Sequence, residues 1–103
     1  MAEESSSDGW KALHGASVQW PVDMPDDLLE FVVGSAKKHI AAVEDWQANG
    51  DDAVTAIKAD LDTNWEPNWH VIVGRNFGSE TTHESRRYCF FYLEDKAVLV
   101  FKA

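Results

Sequence analysis

Along residues 25–47, Leu29, Val33, Ala36, Ile40 and Val43 recur at steps of three and four, the spacing that lines one stripe of an amphipathic helix. Asp23-Met-Pro-Asp-Asp opens it: Asp23 is a capping residue, Pro25 suits the first turn, and Asp26 and Asp27 oppose the positive end of the helix dipole. Asn49-Gly50 predicts its stop. A second stripe, Val54, Ile57, Leu61 and Trp65, predicts a helix that starts at Asp51 or Asp52 and ends before Pro67, which disfavours helical geometry at Glu66. From Trp69 the period falls to two. Trp69, Val71 and Val73 alternate with His70, Ile72 and Gly74, and the pattern breaks at Gly74 and Gly78. Two further strands follow, Arg87 to Leu93 and Lys96 to Lys102, joined by Glu94-Asp95, a tight turn without the glycine that such hairpins prefer.

These last two strands are apolar on both faces: Tyr88, Phe90 and Tyr92 against Cys89, Phe91 and Leu93. A sheet with two apolar faces must be covered twice. Two helices can cover one face, and a second sheet from an identical subunit is the economical cover for the other. Between the strands, Ser79 to Glu84 offers strand-forming threonines but no apolar face. Such a strand is most useful through its backbone edge, where unpaired N–H and C=O groups receive another chain. That pattern points to a binding module. Upstream, residues 1–15 read as a flexible acidic arm and 16–103 as the single folded domain, with Ser17 to Val22 a short edge strand because Pro21 cannot donate to a central ladder. Trp10 and Trp20 sit awkwardly in this picture, since isolated tryptophans seldom stay in water without use.

Composition changes the picture mainly by exclusion. The net charge of −9 is uneven: residues 1–66 carry 14 acidic and 4 basic side chains, residues 67–103 carry 4 and 5. Without clustered Lys and Arg, binding to nucleic acid or to an anionic membrane is disfavoured. No apolar stretch approaches a membrane span. The acidic, serine-rich MAEESSSDG is unlike a secretory signal, and the lone Cys89 gives no disulfide framework, so a cytoplasmic setting is expected. Catalysis is not indicated. His83, Glu84 and Ser85 are neighbours on an apparent strand, whose side chains point to opposite faces, and no nucleophile elbow or phosphate loop is present. His14, His39, His70 and His83 lack metal-ligand spacing, and no cofactor is implied.

The segments Asn68-Trp-His-Val-Ile-Val-Gly-Arg-Asn-Phe-Gly-Ser79, Thr82-His-Glu84, Phe91-Tyr-Leu93 and Ala97-Val-Leu-Val-Phe-Lys102 resemble the eight-kilodalton dynein light chain family. The match is ungapped over about 67–102 and extends more weakly to residue 22. It implies an α+β fold, two helices packed on an antiparallel sheet, in a strand-exchanged dimer whose crossing strand is Asn76–Glu84. The strand's exposed edge would receive an extended peptide, such as a segment of the dynein intermediate chain or of other disordered partners. The dimer could be a homodimer or a heterodimer with a related light chain. The implied setting is the cytoplasm and cytoskeleton, with a cilium or axoneme in view because of the acidic arm and of departures from the family pattern at Glu80, Thr81, Phe90 and Glu94. Two alternatives stay open: a structural or heterodimerising axonemal subunit that binds no peptide, and a general dimerising hub.

Carried over by position, the resemblance implies a peptide groove of Gly50, Asp51, Arg75, Asn76, Phe77, Gly78, Ser79, Thr81, Thr82, His83, Phe90, Tyr92 and Leu99. On the residues alone, Phe77, Phe90, Tyr92 and Leu99 read as core; the resemblance implies a groove role for most of them. Gly50 to Asp52, as the start of the second helix, would present free N–H groups to a ligand glutamine, or simply hold an Asp cap. The implied dimer interface is His70, Asn76, Phe77, Ser79, Glu80 and Thr82, with a neutral His70 between subunits, so that charging it in acid opposes association. Glu80 replaces an aromatic residue of the family, Thr81 a branched apolar one, Phe90 a tyrosine and Glu94 a turn glycine. These departures imply an altered peptide preference.

Overall fold

In a computed structural model, which describes residues 9–75 and 86–102, both apolar stripes form helices over an antiparallel five-stranded sheet. The strands are β1 (Trp10–Leu13), β2 (Ala16–Gln19), β3 (Trp69–Gly74), β4 (Tyr88–Leu93) and β5 (Lys96–Lys102); the helices are α1 (Asp26–Ala41) and α2 (Trp46–Asn64). Their order in the sheet is β1-β2-β4-β5-β3. The α+β class and the two-helix cover of one sheet face are as the sequence predicts.

The covered face is the core. Leu28, Leu29, Val32, Val33 and Ala36 of α1 and Ile57 and Leu61 of α2 pack with Val18, Trp69, Cys89, Phe91, Val98 and Val100 of the sheet. Each large side chain fully removed from water contributes roughly 1.5–3 kcal/mol, so this layer supplies most of the drive to fold. Burial pushes the Cys89 thiol far up from its ordinary range. Polar ties fix where the helices meet the strands. The Asp62 carboxylate accepts from the Trp69 amide at 3.0 Å, Lys58 donates to Asp62, and Arg87 Nε donates to Glu66 at 2.7 Å.

Three boundaries differ from expectation, each for a physical reason. Residues 9–15 belong to the sheet and not to an arm. His14 (φ 55) and Gly15 (φ 86) both take left-handed backbone, so Leu13 and Ala16 are joined by a two-residue hairpin turn whose twist suits paired strands. β2, read as an edge strand, is therefore interior, and β1 takes the edge. Asp23 does not cap α1: its carbonyl accepts from the Tyr88 amide at 2.9 Å, and Pro25 occupies the cap position. Lastly, α1 ends at Ala41, and α2 runs straight through Asn49-Gly50. Asp45 caps α2 by accepting from the Ala48 amide at 3.3 Å. Gly50 is needed for closeness and not for a break, because a Cβ there would lie 2.8 Å from the Trp46 ring.

Candidate functional site

Strand alternation divides the sheet into two faces, and the one away from the helices carries the candidate residues. Cross-strand register aligns them in rows: Tyr88, Phe101 and His70; then Phe90, Leu99 and Ile72; then Tyr92, Ala97 and Gly74. Phe90, Ala97 and Leu99 form a second apolar cluster, packed against Trp10, Tyr88, Tyr92 and Phe101. Three residues of the expected groove, Phe90, Tyr92 and Leu99, are thus brought together. His70 is exposed on the same face and stacks on Phe101, with ring centroids 5.0 Å apart and planes 19° apart. Ile72 is 47 % exposed, a large aliphatic side chain in the middle of an apolar row. Among the described residues, β3 pairs only with β5, so its outer edge is the end of the sheet.

Other expected groove residues are placed differently. Arg75 is exposed just after β3. Asn76, Phe77, Gly78, Ser79, Glu80, Thr81, Thr82 and His83 lie outside the described residues, and with them the expected crossing strand. Gly50 and Asp51 do not begin a helix. They lie in its second turn, and Gly50 is buried under Trp46. Amides at that depth are committed to the helical ladder, as the Asn49 amide on the Asp45 carbonyl at 2.9 Å shows, so the expected donation of free N–H groups from Gly50–Asp52 is not available.

The residue that sequence reasoning missed is Trp10. Its ring lies edge-on to Tyr92 at 5.5 Å and tilted on Phe90 at 5.9 Å, on the candidate face. The signal was the alternation of Trp10 and Ala12 with Lys11 and Leu13, followed by a glycine turn. Hydrogen bonds from Lys58 and the Trp69 amide hold Asp62 below the usual carboxylate range, Arg87 does the same for Glu66, and Lys96 for Asp95. A recess of about 510 Å³ opens at the far end of the helix layer, lined by Lys37, Ile40, Val43, Trp46, Leu93 and Lys96. Among the described residues, no group of three or more His, Cys, Asp or Glu side chains could hold a metal ion. No helix there is long and apolar enough to cross a membrane. What the described face offers is apolar area, aromatic edges and a strand edge, the means of association.

Comparison with known proteins agrees with this geometry. The family model described as dynein light chain type 1 matches residues 17–103. A dynein light chain of Schistosoma mansoni is 41 % identical over 81 residues, covering 79 % of this chain and 82 % of that protein. Two crystal structures of the dynein light chain-like domain of the Fasciola hepatica calcium binding protein FhCaBP2 share the fold. The mercury derivative superposes with a TM-score of 0.75 at 13 % identity, covering 86 % of this chain and 92 % of that one. The native P6422 form gives 0.64 at 16 % identity, covering 80 % and 85 %.

Proposed function

Because the chain belongs to the dynein light chain family, whose members are non-enzymatic structural and adaptor subunits that associate with dynein and with peptide partners, we propose that it is a dimeric light chain that adds an extended peptide to a sheet edge. In this reading two copies meet through the faces opposite their helices, with His70 at the seam and residues 76–84 crossing between them. The foremost guest is a segment of the dynein intermediate chain, and the setting is the cytoskeleton, with axonemal dynein a specialised case. Two identical sites on one dimer raise apparent affinity for a paired guest without any new contact.

One observation carries the reading. Among the described residues, the sheet has a second apolar cluster on the face away from the helices, in which Phe90 and Leu99 are buried and Ile72, in the same row, is 47 % exposed. One observation favours the rival, a structural or heterodimerising subunit without peptide binding: α2 begins at Trp46, which withdraws the amides expected to hold a ligand glutamine. Titration calorimetry with a dynein intermediate-chain peptide separates them. Saturable heat at one peptide per chain is the expected result, and silence from a protein shown by sedimentation to be dimeric selects the structural subunit. Recovery of the chain in axonemal dynein extracts is the check on the specialised setting.

A further inference from the structure

Resting on that peptide-binding reading, we infer that Trp10 is a fixed wall of the guest site and selects guests carrying a bulky apolar side chain. Trp10 lies before the stretch that the family model matches, which begins at residue 17. Its place follows from register. β1 puts Trp10 and Ala12 on the same face; Ala12 pairs with Ser17, and Ser17 pairs with Tyr92. Ala12 and Ser17 are small and exposed, whereas Trp10 and Tyr92 are large, half-buried and in edge contact at 5.5 Å. The result is a notch with a small-residue floor and aromatic sides, continuous through Phe90 with the apolar cluster of the candidate face.

The indole is held and does not dangle. On one side of Trp10 the Trp20 amide donates to the Gly9 carbonyl at 2.6 Å, and Trp10 itself is in register with Gln19. β2 is tied in turn to β4 through Ser17 with Tyr92 and Val18 with Phe91. A rigid aromatic anchor costs little ordering entropy when a guest arrives. The charge of β1 is turned away: Lys11 alternates to the other face, where its ammonium sits 4.3 Å over the Trp20 ring. Trp10, Ala12, Ser17 and Tyr92 carry no formal charge, so the notch suits a leucine-, isoleucine- or phenylalanine-like side chain and not an acidic or basic one.

The test uses the full chain, a dynein intermediate-chain peptide and single-alanine variants of that peptide, with affinity read by calorimetry. Trp10→Ala is expected to weaken binding roughly tenfold, with the loss coupled to one apolar peptide position: alanine there costs the wild type and costs Trp10→Ala nothing further. Trp10→Phe is expected to retain most of the affinity, and it keeps the question answerable if Trp10→Ala folds poorly. Wild-type affinity in both variants, or tighter binding by Trp10→Ala, overturns the wall while leaving the groove standing. No binding by the wild type overturns the groove and the wall with it.

Discussion

Ser35, only 7 % exposed on α1, donates its hydroxyl to Asp60 of α2 at 2.7 Å, and His39 Nε2 lies 2.9 Å from the same carboxylate oxygen. The Ser35 hydrogen bond is the largest influence holding Asp60 below the usual carboxylate range, with His39 and Lys38 adding to it against the cost of burial. A carboxylate depressed in the folded state stabilises above its unfolded pKa, and that contribution is lost as pH falls through the folded value. Ser35→Ala should therefore cost about 1–2 kcal/mol at neutral pH and much less once acid has protonated the carboxylate, below the ordinary Asp pKa of about 3.9. Urea melts of both proteins at pH 7 and pH 2.5 measure the two gaps; gaps of equal size would show that the carboxylate plays no part. At this scale the sequence was partly readable. Phe90, Tyr92 and Leu99 came from resemblance and do share a face. The Ser35–Asp60 bond did not, because it depends on how two helices are rotated against each other, and a single stripe pattern leaves that undetermined.

The helices and the three C-terminal strands follow their hydrophobic periods closely, because each period reports directly on which side must be dry. Their limits were harder to read. Asn49-Gly50 looks like a stop, yet the same glycine also serves where an indole must lie close to a helix backbone, and Trp46 makes that second use the operative one. Likewise, His14-Gly15 reads as loop until Trp10 finds Phe90 and Tyr92 to pack on, with two strands and both helices lying between them along the chain. The corrected start of α2 has its own test. Asp45→Ala should lower stability by about 1 kcal/mol through loss of the cap, whereas Asp51→Ala, in mid-helix, should change it by less than half of that. Paired denaturant titrations decide, and the reverse order of costs would restore a helix beginning at Asp51.

For the molecule as a whole, the two-faced sheet was legible because apolar residues on both sides of a strand admit no single-layer solution. What would cover its second face was not, since any apolar surface satisfies the pattern. His70 gives the proposed dimer a local test. Association would enclose the ring that stacks on Phe101, and a fixed positive charge at that place would be taken out of water without a partner. Sedimentation velocity should show a dimer for the wild type and a monomer for His70→Lys; a dimeric His70→Lys would remove His70 from the seam. On the helix side of the sheet, on β4, lies the chain's one cysteine, wholly enclosed, with burial pushing its thiol well above the ordinary range. A disulfide between two copies through this residue therefore requires the helices first to come away from the sheet.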